Sequence, residues 1–311
     1  MTFSILGSGF GLYGYLPALI RCGHRVMLPE SYRQTLERRA DLKGLVDAVQ
    51  WRKDEEAIRD EATACIISRR PSDQSAWLDR FAGTARATSF ILEKPLGTTP
   101  ASAFKLLDLL EASHKKYRIA YTFRFLPWAQ DLAAVASNAD TANNPGHIGI
   151  EWTFRSHHYL HQKQNWKRRV SEGGGALRFY GIHIIGLLAE IGYRDVTQSR
   201  CCASAPDECE FWSAVFNGPG LKECHVLVDT NSDDTTFKIV GFDKSHMILD
   251  QAGPFESTAR SDGFDARVEV LEQLCKSLTE ETARFYPWYA ASIELWKLTE
   301  TVSRQVQRTP D

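Results

Sequence analysis

No apolar run in this chain approaches the roughly 18 residues that a membrane-crossing helix requires. The opening MTFSIL has neither the basic start nor the long apolar core of a secretory signal. Charge of one sign is missing too: 37 Lys and Arg stand against 39 Asp and Glu, a formal net charge of -2, and the pI lies near 6.5. Without a global field the chain has no means of gathering nucleic acid or an anionic membrane surface. The seven cysteines are odd in number and contain no C-x-x-C pair, which argues against a disulfide framework and against a zinc site of that spacing. Reduced structural thiols fit better, the adjacent Cys201 and Cys202 in a strand-like stretch among them, since free cysteine behaves as a small buried hydrophobe. Internal repeats and low-complexity tracts are absent. These absences lead to the expectation of a cytoplasmic protein without nucleic-acid or membrane partners.

What remains is a globular composition, 311 residues with 43% hydrophobic and 24% charged side chains, long enough for about two domains of roughly 150 residues. In the first third, short apolar runs at 3–6, 24–28, 62–68, 89–94 and 118–123 alternate with helical patterns at 14–23 and 101–116. That rhythm predicts an α/β domain, a Rossmann-type doubly wound parallel sheet, over residues 1–122. Beyond it come a helix near 127–137, a polar loop at 137–146, a strand at 146–154 and a helix begun by the glycines 173–175. Strand-like segments then follow one another from 196 to 250, before helical patterns at 265–278 and 288–307. Residues 123–311 are therefore expected to form an α+β domain with an open, largely antiparallel sheet.

The stretch ILGSGFGLYG, residues 5–14, carries the dinucleotide pattern G-x-G-x-x-G in two overlapping registers. The register from Gly9 is complete as Gly9, Gly11 and Gly14. The register from Gly7 has Gly9 second and Leu12 in third place. A strand turning at a glycine into a helix aims backbone N–H groups at a phosphate. The strand ends at Leu6, so the tight turn belongs at Gly7, with Gly11 or Gly14 relieving the crowding at Leu12. A glycine-rich turn without ligand is the plain alternative. After the second strand, Glu30 suits the ribose diol of NAD, while Ser31 and Arg33 suit the 2′-phosphate of NADP. NAD or NADP is expected, with NAD preferred.

Four further features join that fingerprint: Pro17, the strand end Glu93-Lys94-Pro95, FRFLP at 123–127 and GGGALRFYGIH at 173–183. Together, over nearly the whole chain, they resemble the Gfo/Idh/MocA oxidoreductases, the glucose-fructose oxidoreductase and inositol dehydrogenase family. The helix proline selects the Gly7 register. The resemblance implies hydride exchange between a nicotinamide cofactor and a sugar, cyclitol or polyol-like substrate. Lys94 matches the family lysine that orients and polarises the reacting oxygen, a task suited to an ammonium beside a developing alkoxide. His183 matches the frequent general acid/base, for which imidazole is suited by its near-neutral pKa. Against these stand a solvated lysine and a satisfied core histidine. The implied cofactor set is Gly7, Gly9, Phe10, Gly11, Leu12, Glu30, Ser68, Arg69, Glu93 and Lys94.

Three departures qualify the resemblance. Phe179 stands where the motif usually has aspartate, and Tyr180 beside it points about 100° away on a helix. Gly186 stands where members often carry another aspartate. After the third strand, Arg69 and Arg70 replace a small proline-containing turn; they could clasp an anionic substrate bidentately, or be two solvated loop arginines. Arg70, Arg124, His158, Trp166, Phe179 and Tyr180 complete the expected substrate set. His157 and His161 lie four apart, but nothing supplies a third ligand, so no metal is expected. WKRR at 166–169 reads as a solvated loop. Two alternatives stay open: an imine (C=N) reductase on the same scaffold, suggested by Phe179, and a non-catalytic ligand-binding or regulatory protein, suggested by Leu12 and Phe179. The family's habit of pairing through its open sheet implies a homo-oligomer, a dimer or tetramer.

Overall fold

The computed structural model describes residues 1–137, 146–241, 247–258 and 263–308. The expected polar loop falls outside them from 138 to 145, and so do residues 242–246, where one expected strand was to end and the next to begin. The chain divides into two compact units. The first comprises Met1–Leu96, Lys105–Phe125 and Ser257–Phe285; the second comprises Gly97–Phe104, Leu126–Glu256 and Tyr286–Asp311. The expected single break after residue 122 differs from this division at 97–104 and at 257–285.

In the first unit the strands are β1 (Thr2–Leu6), β2 (Arg25–Pro29), β3 (Val49–Arg52), β4 (Ala64–Ile67), β5 (Ser89–Leu92) and β6 (Lys116–Ile119). They form one sheet in the order β3-β2-β1-β4-β5-β6, and every pairing is parallel. β1, β4 and β5 are buried at every position, which is why they read as unbroken apolar runs. The connecting helices are α1 (Leu16–Arg21), α2 (Arg33–Arg38), α3 (Glu55–Glu61) and α4 (Pro71–Phe81), with α5 (Pro100–Ala112) following β5 in the chain. The strand order reverses between β1 and β4, and in such sheets ligands bind beyond the carboxyl ends of the strands at that point. β3 and α4 were not anticipated. β3 is a half-exposed edge strand whose VQWR alternation is too short to stand out, and α4 carries only a narrow apolar stripe at Gln74, Trp77 and Leu78.

The second unit begins its fold with α6 (Pro127–Ser137), β7 (His147–Arg155) and α7 (His157–Leu160), then reaches α8 (Ile182–Ile191). β8 (Asp195–Ala203), β9 (Phe211–Asn217), β10 (Glu223–Asp229), β11 (Asn231–Val240) and β12 (Met247–Gln251) follow in close succession. Their sheet runs β12-β11-β7-β10-β9-β8, with β13 (Ser303–Gln307) at the far edge. β7 pairs with β10, and β13 with β8, in parallel; the other pairings are antiparallel. β9 and β10 alternate buried and more exposed positions, so one face carries the core. Helix α8 is buried from Ile182 to Ala189 on all sides. The stretch Val170–Ile191 is long and apolar enough to cross a membrane, which reading the sequence for uninterrupted runs missed; 72% of it is buried within the protein, and its apolar character belongs to the core.

Two C-terminal helices complete the units, α9 (Val268–Glu280) in the first and α10 (Tyr286–Thr301) in the second. The pattern expected as helical to residue 307 stops at Thr301, because Ser303–Gln307 extends the sheet along the open side of β8. Leu271, Leu274, Cys275 and Leu278 recur on one face of α9 and join the core cluster of Leu12, Leu16 and Leu19. That packing is why residues 257–285 return to the first unit. Arg118 of β6, 3% exposed, closes the C-terminal end of α9: it donates to the carbonyls of Ser277 at 2.7 Å and Glu281 at 3.1 Å. Its guanidinium lies 3.9 Å from the Phe285 ring centroid. A cation on the last helical carbonyls satisfies both their hydrogen bonds and the helix dipole. Arg118→Ala is expected to lower stability by roughly 2–4 kcal/mol, measured as a shift of the urea midpoint.

Candidate active site

The tight turn falls at Gly7, whose φ is +129°. A side chain there is excluded twice over, since a Cβ would overlap the backbone carbonyl of Ser68 as well. Gly9 has nothing within 4 Å of a Cβ and faces open space. At Gly11 a Cβ would come 2.7 Å from Ile5 Cγ2 and 3.3 Å from Ser68 Cβ, so the close packing of helix on strand is relieved at Gly11. Leu12 is instead a core residue, 1% exposed. At Gly14 a Cβ would meet only the Phe10 ring, a side chain able to move. The rigid backbone contact therefore selects the register that starts at Gly7. The chain enters α1 through a π-helical turn, Gly11–Tyr15, a local widening frequent at functional sites.

Beside this turn the expected cofactor residues are already engaged. The Gly7 N–H donates to the Tyr32 hydroxyl at 3.0 Å, which in turn donates to Glu55 at 3.2 Å. Glu55 also holds Arg69 in a tight ion pair. Glu30 is bound through both oxygens by Arg33, whose guanidinium lies 4.4 Å over Trp51. Arg70 is exposed and 3.6 Å from Asp73. Arg124 lies 3.9 Å from Glu281 and stacks near Phe285. None of Arg33, Arg69, Arg70 and Arg124 stands alone as an anion clasp.

The strand end 93–96 is tightly held. Glu93 Oε1 is buried, and the carboxyl faces the buried Tyr15 hydroxyl; burial pushes the Glu93 pKa up, opposed mainly by the Lys94 charge. The Lys94–Pro95 peptide is cis. Gln74 of α4, fully buried, accepts from the Glu93 N–H at 2.9 Å and donates to the carbonyls of Glu93 and Leu96 at 3.0 and 3.1 Å. Sequence reasoning missed Gln74, Tyr32 and Glu55. A glutamine on the apolar stripe of a proline-initiated helix is the signal that could have found the first.

In the second unit the three glycines press a loop against the helix start. A Cβ at Gly174 would strike the carbonyl of Trp166 and Lys167, and Gly175, at φ +84°, lies against Cys209. The Gly175 N–H donates to Lys167 O at 2.8 Å and the Ala176 N–H to Cys209 O at 2.6 Å. A second π-helical turn, Ala176–Gly181, leads into α8. It sends Phe179 against Trp166, 5.2 Å between ring centroids, and Tyr180 against Trp152 and Phe154, at 5.6 and 5.0 Å. Tyr180 also stacks 6.4 Å from His158. Four expected substrate residues, His158, Trp166, Phe179 and Tyr180, thus form one aromatic group. His158 is hydrogen-bonded to Ser156 Oγ at 3.0 Å. Its pKa is lowered to about 4 by burial, then by Lys167 and Arg168, so it is neutral at physiological pH. His183 is 8% exposed in the first turn of α8. Arg178 of the same motif is bound bidentately by Glu300, at 2.6 and 2.9 Å. The rings of His157 and His161 meet at 4.3 Å, but no group of three metal-ligating side chains occurs among the described residues.

No protein-family model matches the chain, and no curated protein matches it. Solved structures do. The 3-ketoreductase KijD10 from Actinomadura kijaniata, in complex with NADP and TDP-benzene, superposes with a TM-score of 0.72 at 13% identity, covering 99% of each chain. The WlbA (WbpB) dehydrogenase from Thermus thermophilus, with NAD and UDP-GlcNAcA, gives 0.70 at 13% identity over 100% of this chain and 97% of its own. GenD2 from gentamicin A biosynthesis, with NAD, gives 0.72 at 13% identity over 97% and 93%. The chain has the fold of these proteins: a Rossmann-like sheet and a second, largely antiparallel one.

Gly7→Ala is expected to cost roughly 3 kcal/mol or more, through strain and the Ser68 overlap, whereas Gly9→Ala should stay within about 0.5 kcal/mol; paired urea titrations separate the two. His158 gives a pH signature. Between pH 6.5 and about 4 the unfolded chain binds a proton that folded His158 refuses, so its contribution to stability is lost as pH falls through that window. His158→Gln should remove roughly 2–3 kcal/mol of the stability decrease between about pH 7 and pH 4.5, measured by chemical denaturation at both values.

Proposed function

We propose that the protein is an NAD(P)-dependent oxidoreductase that moves a hydride to or from the carbonyl carbon of a carbohydrate or polyol-like substrate. The observation that carries this reading is the glycine turn. Gly7 against Ser68 and Gly11 against Ile5 bring helix and strand together, while Gly9 opens onto free space where a pyrophosphate can approach the backbone. The ligands named for the similar folds, NADP with TDP-benzene and NAD with UDP-GlcNAcA, support a nicotinamide cofactor and a nucleotide-linked sugar. NAD is preferred over NADP because Glu30, at the end of β2, offers a carboxylate to the ribose diol, and Arg33, the group suited to a 2′-phosphate, is paired with that carboxylate.

The hydride chemistry belongs to the nicotinamide when it is bound. Gly7, Gly9, Phe10, Gly11 and Ser68 shape its phosphate site, backed by the buried Leu12, with Glu93 and Lys94 at its reactive end. The Lys94 ammonium orients the substrate oxygen and stabilises negative charge that develops on it. His183 gives or takes the accompanying proton. His158, neutral, offers a hydrogen bond without adding charge. Arg69 is committed to Glu55, which withdraws it as a clasp for an anionic substrate.

Phe179 favours a second reading. Its ring, wedged between Trp166 and Tyr180, cannot accept a hydroxyl proton, and a C=N bond needs a proton donor but no such acceptor. Turnover of a cyclic imine together with inertness toward sugars would select imine reduction. We infer a cytoplasmic protein, in keeping with seven free thiols, and a homo-oligomer that pairs through the open sheet, as the family resemblance implies.

Titration with NADH and NADPH, followed by cofactor fluorescence, is the decisive test. Micromolar binding, tighter for NADH, is expected, and Gly9→Val should weaken both by about tenfold or more by filling the phosphate approach while leaving Tm unchanged. Absence of binding by either cofactor overturns the assignment and promotes the ligand-binding alternative.

A further inference from the structure

We propose that Gln74 is the positioning residue for Lys94, setting the place of the ammonium by holding the backbone on both sides of it. The inference rests on the reading of Lys94 as the oxygen-orienting cation. Gln74 stands at the end of the buried stripe of α4, three residues before Trp77, which packs edge-on to Phe90 of β5 at 6.0 Å. From there its amide reaches past the carboxyl end of β5. One oxygen accepts the Glu93 N–H, and one nitrogen serves the carbonyls of Glu93 and Leu96. The anchors bracket Lys94 and Pro95.

Chemistry restricts what could take this place. Pro95 has no N–H to close a turn of its own, and the Glu93 side chain is turned toward Tyr15; the sheet reaches the Glu93 N–H through Ile67 O at 3.3 Å, and the carbonyls of Glu93 and Leu96 are held by an outside group. That group must donate two hydrogen bonds, and here it also accepts one. An amide does this; a carboxylate cannot donate, and an aliphatic side chain can do neither. A fully buried amide is costly unless its bonds are made, and here three of them are made to a single short segment. The consequence is a lysine whose flexible stem starts from a fixed backbone point, as a group that must meet a developing alkoxide requires.

The test reads Lys94 directly and needs no substrate. Full-length wild type, Gln74→Leu and Gln74→Glu are labelled competitively with trace acetic anhydride from about pH 6 to pH 10, and acetylation of Lys94 is compared by mass spectrometry with that of the exposed Lys53. In Gln74→Leu the Lys94 to Lys53 ratio is expected to rise about tenfold as the segment opens locally. Gln74→Glu adds a signature that general loosening lacks. Protonated, the new side chain supplies one donor and one acceptor and holds the ratio between wild type and Gln74→Leu; ionised, it faces two carbonyl oxygens and the ratio climbs, so labelling acquires a pH step at Lys94 alone. If Gln74→Leu does not fold, the step in Gln74→Glu decides. Equal ratios in the folded variants, or a rise shared by all lysines, overturn the proposal. Failure of wild type to bind NADH instead removes the oxidoreductase reading and leaves the labelling result standing as evidence on position.

Discussion

One steric constraint organises the first unit: at the end of β1 the α-carbon of Gly7 lies against the backbone carbonyl of Ser68 beyond β4. The Ser68 N–H continues the pairing by donating to Leu6 O at 2.8 Å, so the two central strands stay joined past their ends. The chain then has no room to turn except back over Ile5, where Gly11 admits it. Because the turn is this tight, the backbone around Gly9 is left facing outward with nothing covering it. That open space at Gly9 is a by-product of crowding elsewhere in the same turn, which explains why the glycines cannot be exchanged for one another.

The second unit solves a related problem with different parts. Three glycines bring the start of the long buried helix against the backbone of Trp166, Lys167 and Cys209, and the π-helical turn that follows rotates successive side chains apart. Phe179 goes to the 166–167 loop and Tyr180 to β7. Position 179 is thereby filled by a ring with an aromatic neighbour on each side, Trp166 and Tyr180, in surroundings that hold His158 neutral. The side chains gathered there meet through ring contacts more than through charge.

Much of this was legible in the chain. The alternation of apolar runs and helical patterns announced the parallel sheet, and Leu6 at the end of a strand placed the tight turn at Gly7. What escaped was every feature made by residues far apart in sequence. Gln74 looked like any surface-helix glutamine until the end of β5 lay beside it. Arg69 looked available until Glu55 was found within reach. The 257–285 segment counted with the second half until its leucine stripe met the core around Leu12.

Composition and periodicity by themselves determined that this chain makes two units, one doubly wound and one with a largely antiparallel sheet, and where its glycine turns begin. Those properties arise from local sterics and from the burial of regularly spaced apolar side chains, both of which are written in short stretches. Tertiary structure alone decided which charges are spent on one another, which glycine relieves the helix contact, and which side chain bonds the backbone of Glu93 and Leu96. Each of these turns on a distance between groups separated by many residues, and such distances exist only after the sheets have assembled.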